Sequence, residues 1–165
     1  MKAFLALLLA LAAGTIASAE WRPATQSELK SFIPPRAPVV KEHIETEFRT
    51  ASAITNGQGK YVGGAVLITE GYAAAGKYSI FLITQVPLHV EGLRLPVGEY
   101  AIGWARHGND ALTVKFYIAQ SGKFVGQVEA ARMNRKGRID SFRIYPPGGK
   151  DVIEIGRFGM QYKVP

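Results

Sequence analysis

The chain has 165 residues, no cysteine and a formal net charge of +7 at pH 7. Without cysteine it has no disulfide framework, no thiolate metal site and no cysteine nucleophile. Its length suits one domain with a single hydrophobic core. The excess of basic residues favours an anionic partner, although positive charge also keeps a protein soluble.

The N-terminal segment, residues 1–19, has the three parts of a secretory signal peptide. Lys2 supplies the positive charge, residues 4–13 are an apolar run, and residues 17–19 (Ala-Ser-Ala) form a small-residue cleavage site. The apolar run is shorter than the roughly 20 residues that span a bilayer. We therefore expect cleavage before Glu20 and export. Because small secreted eukaryotic domains usually carry disulfides, the absence of cysteine favours a periplasmic or secreted bacterial protein. The alternative is an uncleaved membrane anchor.

Residues 20–38 are predicted to form an N-terminal arm. Thr25 and Glu28 have the spacing of a capping box, in which both side chains accept hydrogen bonds from free amides at a helix start. A short helix is expected over Gln26–Phe32, and the pair of prolines that follows ends it. Residues 34–38 are then expected to be an extended, Pro-rich linker.

The single domain predicted for residues 39–165 is mostly β. Residues 39–54 fit helical spacing and strand alternation equally well, and their threonines favour a strand. Residues 78–85 are apolar on both faces, which is typical of a central strand. The favoured architecture is an antiparallel two-sheet β-sandwich of about eight or nine strands, and a small closed barrel is the alternative. The later strands are predicted at residues 60–70, 78–85, 87–91, 99–106, 111–119, 124–131, 138–145, 152–155 and 158–164.

Residues 88–104 are predicted to form the central hairpin of the domain. One strand leads into Leu95-Pro96-Val97-Gly98, and the return strand begins at Glu99. Proline and glycine are the residues that tight turns favour. If Gly98 adopts a positive φ, which glycine tolerates best, Gly98→Val should damage folding. The apolar side chains around the turn are expected to enter the core; they are Leu93, Leu95, Tyr100 and Ile102.

The sequence from Leu95 to Tyr100 follows the pattern Leu-Pro-x-Gly-x-Tyr. This pattern resembles the hairpin shared by several families of exported bacterial β-sandwich proteins of unknown function. The resemblance covers residues 86–118. It implies an exported sandwich with no assured activity, and it transfers no site residue to this chain.

A metal site is one hypothesis for the polar residues near this hairpin. His89 and Glu91 are two residues apart on a predicted strand, so their side chains share one face. If His107 folds back toward them, the three form a set of two histidines and one carboxylate with open metal positions. The alternative is that all three are solvent-facing residues of a hairpin.

A run of basic residues is predicted to lie at the exposed tip of a later hairpin. Such a run can contact an anionic polymer of the cell envelope, and for an exported protein this partner is favoured over nucleic acid. Alternatively, the charges only discourage pairing between sheet edges. The candidate anion contacts are Arg132, Arg135, Lys136 and Arg138.

No motif indicates catalytic residues or a cofactor. The Gly-x-Ser-x-Gly elbow of hydrolases is absent, and Gly148-Gly149-Lys150 lacks the spacing of a phosphate-binding loop. The sequence therefore favours a non-enzymatic binding or interaction module of the cell envelope, whose partner is an anionic polymer or another protein. The alternative is a metal-dependent enzyme or small-ligand binder of cupin-like type that uses His89, Glu91 and His107.

Overall fold

The computed structural model describes residues 20–165. The predicted signal peptide, residues 1–19, lies outside the described residues. Within 20–165 no helix is both long and apolar enough to cross a membrane. The helices are α1 (Gln26–Phe32) and α2 (Gly71–Ala74), and the strands are β1 (Arg22–Pro23), β2 (Arg36–Val39), β3 (Glu42–Thr55), β4 (Tyr61–Leu67), β5 (Ile80–Thr84), β6 (Leu88–Val90), β7 (Leu93–Leu95), β8 (Gly98–His107), β9 (Ala111–Ile118), β10 (Phe124–Arg132), β11 (Arg143–Ile144), β12 (Val152–Ile155) and β13 (Phe158–Lys163).

The strands form one curled antiparallel sheet of 13 strands, a half-barrel. Its main path runs β1-β3-β4-β5-β8-β9-β10-β13-β12-β11, with β2 beside β3 and the β6–β7 pair attached to β13. The curl brings β11, the last strand on this path, back toward β3, where the Ile144 amide donates to the Ser52 hydroxyl oxygen at 3.1 Å. The predicted antiparallel, mostly β class is confirmed. The predicted sandwich is not confirmed, because one continuous path of pairing joins the strands.

The core fills the concave face of this sheet. Ile80 and Leu82 of β5 point into it together with Phe116 of β9. Phe81, on the opposite face of β5, is also fully buried, because the β2–β3 hairpin covers it with Val39 and its neighbours. The prediction of a central strand at residues 78–85 is therefore confirmed, with β4 and β8 paired on its two sides.

The N-terminal arm packs onto the domain. The helix bounds and the capping box of Thr25 and Glu28 are as predicted. Arg22 binds the Glu28 carboxylate at 2.7 Å, and this hydrogen bond, with that from the Thr25 amide, lowers the pKa of Glu28 to about 2. The Pro-rich segment contains β2, which pairs with β3. Residues 39–54 adopt the favoured strand conformation through most of their length, as β3.

The prediction of a turn at Leu95-Pro96-Val97-Gly98 is wrong. The tight turn lies at Glu91 and Gly92, where φ is 45° and 82°, and it joins β6 to β7. Strand β8 pairs with β5 and β9 rather than with β7, so the Pro-Val-Gly segment is a corner between strands. Gly98 is not among the residues with positive φ. The Tyr100 hydroxyl fixes this corner by donating to the Pro96 carbonyl at 2.6 Å.

The strand predicted at residues 138–145 is also largely wrong. Only Arg143 and Ile144 pair there, as β11. The preceding segment is irregular because its contacts are tertiary: the Met133 amide donates to the Arg157 carbonyl at 2.7 Å, and Phe142 is buried in the core. Residues 133–142 thus run along the sheet without joining it.

Candidate ligand site at the open end of the sheet

The two ends of the curled sheet are built differently. At the end where β8 begins and β13 finishes, the β6–β7 hairpin covers the core, and Leu88, Val90 and Leu95 are all 0% exposed. Strand β6 is held there by pairing with Tyr162 and Lys163 of β13. We call this the closed end. No comparable hairpin lies over the opposite end in the described part of the chain.

At the opposite end the filling of the concave face stops partway along β8. Tyr100 and Ile102 belong to the core, whereas Trp104, two residues further on the same face, is 36% exposed. Arg106 is the next residue on this face and is exposed. Because side chains alternate along a strand, β8 carries core residues at one end and an open wall at the other.

This open wall borders a cavity of about 550 Å³, which we call the mouth cavity. Its volume is in the range of sites that bind small molecules, which are mostly apolar and are often found at the mouths of β-barrels. Ile139 and Ser141 line one side of it, and Ala73 of α2 lies at another side. The apolar part of the lining includes Val66, Ile80, Trp104, Leu112, Ile139 and Phe158.

The charged side chains of the mouth cavity are both arginines. Arg106 lies on β8, and its guanidinium carbon is 5.9 Å from the centre of the Phe158 ring. Arg157 lies in the turn between β12 and β13. The lining contains no aspartate or glutamate. The cavity therefore combines an apolar wall with two positive charges.

The three residues of the metal hypothesis do not come together. His89 lies on β6 opposite Lys163, and Glu91, in the adjoining turn, accepts a hydrogen bond from the Gln161 amide at 2.5 Å. Both are at the closed end, whereas His107 ends β8 at the open end. Strand β13, which holds the hairpin, is separated from β8 by β9 and β10. Across residues 20–165, no three His, Asp or Glu side chains are grouped to hold a metal ion.

The predicted hairpin with a basic tip is not formed, because β10 ends at Arg132 and the next strand begins only at Arg143. Arg135 is only 23% exposed and forms an ion pair with buried Glu154 at 2.6 Å, while its guanidinium lies 4.6 Å from the centre of the Tyr145 ring. Arg138 is 3.2 Å from Asp140. Arg132 and Lys136 are exposed. Two of the four candidate anion contacts therefore already have a carboxylate partner, and the four do not form one exposed patch.

A second, polar groove of about 360 Å³ lies between β3 and residues 138–143. It contains three arginines and two carboxylates, and each arginine has a carboxylate partner. Arg49 pairs with Glu47 at 3.0 Å, and Asp140 accepts from Arg143 at 3.0 Å, which raises the pKa of Arg143. Since its cations already have carboxylate partners, this groove is a weaker candidate for a charged ligand than the mouth cavity.

The sequence contained only a faint signal of the mouth cavity. Trp104 and Arg106 lie on either side of Ala105 near the end of a long strand, a spacing that places an aromatic and a cation on one face. Arg157 and Ile139 belong to no local sequence pattern, and only the fold brings them to the cavity.

Comparison of the chain with family models, curated proteins and solved structures gives no match.

Proposed function

We propose that this protein is a non-enzymatic binding module, exported to the bacterial cell envelope, that takes a small apolar ligand in the mouth cavity. The observation that carries the proposal is the abrupt end of core filling on β8. On β8, Ile102 is 1% exposed, whereas Trp104, two residues later, is 36% exposed. Trp104 lines the mouth cavity, whose volume is about 550 Å³. A partly exposed tryptophan beside an apolar cavity supplies a large contact area for a ligand.

The two tryptophans provide the test, because they lie at opposite ends of the sheet. Trp21 packs at the closed end, where its indole N–H donates to the Pro165 carbonyl at 3.3 Å. In a Trp21→Phe variant all tryptophan emission comes from Trp104. We expect titration with decan-1-ol, below its aggregation limit, to shift that emission to the blue with saturation. In a Trp104→Phe variant the remaining emission should stay unchanged.

A matched pair of substitutions locates the binding. Ala73 and Ala74 are adjacent, exposed residues of α2, but only Ala73 lines the mouth cavity. Ala73→Trp should obstruct the cavity and weaken decan-1-ol binding at least tenfold, whereas Ala74→Trp should not. Here the complex is followed by native mass spectrometry, which does not depend on tryptophan emission. Equal binding by both variants, or no saturable binding by the unaltered protein, would refute the proposed function.

Export is tested separately from binding. Cleavage after Ala19 gives a protein that begins at Glu20, as the three-part leader predicts. The mass of the protein recovered from the periplasm or medium of an expressing bacterium should match residues 20–165. Full-length mass in a membrane fraction would instead support the uncleaved anchor.

A further inference from the structure

We infer that the ligand of the mouth cavity is an amphiphile whose anionic head group is held at the rim by Arg106 and Arg157. This inference rests on the proposed function, since it assigns a ligand class to the same cavity. It goes further because it states which end of the ligand faces solvent and which residues select it.

The two arginines reach the cavity from separate parts of the sheet. Arg106 extends from β8, and Arg157 from the turn before β13; these strands are separated by β9 and β10. The turn is fixed on both sides, because the Arg157 carbonyl accepts the Met133 amide at 2.7 Å and the Gly156 amide donates to the Ser141 carbonyl at 3.3 Å. The fold therefore brings together two cations that are far apart along the chain.

Neither cation has an acidic partner within 4.0 Å in the described part of the chain. Five other arginines do, and their partners are Glu28, Glu47, Glu154 and Asp140. Asp110 borders an adjoining groove with Arg132 and Arg157 but does not line the mouth cavity. Asp140, between the lining residues Ile139 and Ser141, pairs with other arginines. Two unpaired guanidinium groups beside an apolar wall favour a negatively charged group on whatever fills the cavity.

The chemistry of the lining matches an amphiphile. A guanidinium group presents a rigid set of N–H donors that suits the paired oxygens of a carboxylate or phosphate. The guanidinium of Arg106 lies over the Phe158 ring, and because no carboxylate of the described residues pairs with it, its N–H donors are available to a ligand. Behind the two arginines, Ile80 and Leu112 supply an apolar floor. An acyl chain would lie against this floor, with its charged end at the rim.

The test compares four amphiphiles whose alkyl chains have nine or ten carbons and whose head groups differ. Decanoate, decyl phosphate, decan-1-ol and decyltrimethylammonium are titrated into the Trp21→Phe variant and the Trp104 emission is followed. A charge-assisted hydrogen bond strengthens binding by about tenfold or more. We therefore expect decanoate or decyl phosphate to bind at least tenfold more tightly than decan-1-ol, and the cation to bind weakest. The ranking of the two anions then identifies the preferred head group.

Substitution of the arginines completes the test. Arg106→Gln combined with Arg157→Gln should remove the preference for the anion and leave decan-1-ol affinity unchanged. The matched control is Arg94→Gln, which should change neither; Arg94 is exposed at the closed end and has no ion-pair partner among residues 20–165. Urea unfolding of each variant verifies that it is folded, and single substitutions replace the double one if it is not.

The outcomes separate this inference from the proposed function. Saturable binding in which decan-1-ol equals the anions, or anion binding that survives loss of both arginines, overturns the inference and leaves the binding module standing. No saturable binding of any of the four compounds overturns both. An equal loss of affinity for all four in the double variant would mean that the arginines only shape the cavity, and this would also overturn the inference.

Discussion

The closed and open ends of this sheet share strands but not chemistry. At the closed end Leu88, Val90 and Leu95 have no exposed surface, because a separate hairpin pairs with β13 and lies over the core. At the open end the same strands continue past the core and present Trp104 and Arg106 to a cavity. The difference shows that strand alternation places side chains on a face but does not decide whether that face is filled.

The largest expected loss of stability comes from a substitution at the closed end. Leu95→Ala removes a fully buried side chain and should lower the free energy of unfolding by about 2–5 kcal/mol, because lost transfer energy and a residual cavity add. The open-end counterpart is Ile139→Ala, at a residue that is 42% exposed and should change stability by about 0.5 kcal/mol or less. Urea unfolding of both variants measures the contrast. Equal losses would mean that the open end is as much a part of the core as the closed end.

A smaller effect concerns the wall of the mouth cavity. Residues 133–142 are attached to β12 by the ion pair of Arg135 and Glu154. Arg135→Met should cost about 2 kcal/mol, below the 3–5 kcal/mol of a broken, fully buried pair, because the Arg135 side chain keeps 23% exposure.

Lys136→Met is the matched control, because this neighbouring cation is exposed and has no ion-pair partner in the described residues. Hydrogen exchange should show faster exchange in residues 133–142 for Arg135→Met and no change in β6 and β7. Identical stability and exchange in the two variants would show that the ion pair does not hold the wall.

The smallest effect tests the turn that closes the hairpin over the core. Gly92 has φ of 82° with nothing within 4 Å of an added Cβ, so Gly92→Val should cost about 1–2 kcal/mol from backbone strain alone. Gly98 has no positive φ, and its added Cβ would meet the Tyr100 ring at 3.6 Å, an ordinary contact. Thermal unfolding should therefore show a larger loss for Gly92→Val than for Gly98→Ala. A larger loss for Gly98→Ala would instead support a tight turn at Pro96–Gly98.

Local signals in the sequence were sufficient for several elements. The capping box of Thr25 and Glu28 depends on residues three apart, and the helix it begins has the predicted bounds. The apolar run around Phe81 indicated a strand buried on both faces, and β5 is one. In each case the deciding interactions are either local or nearly independent of which partner covers the residue.

The errors share one physical cause, which is competition from distant partners. The Pro-x-Gly segment satisfied the local requirements of a turn, but pairing of β6 with β13 moved the turn to Glu91 and Gly92. The basic run satisfied the local requirements of an exposed tip, but buried Glu154 draws Arg135 inward. Glu154 lies in an apolar stretch, Val-Ile-Glu-Ile, and a carboxylate there needs a partner that the sequence alone does not identify.

The sequence by itself determined the antiparallel β class, the first helix and the central strand, because alternation, capping and turn residues act over a few positions. The tertiary structure alone decided that the strands curl into one sheet, that a hairpin fills one end, and that Arg106 and Arg157 share a cavity. Those features depend on contacts between residues far apart in the chain. Whether a hairpin covers the core, and whether a space between strands is filled, depends on how all the strands pack together.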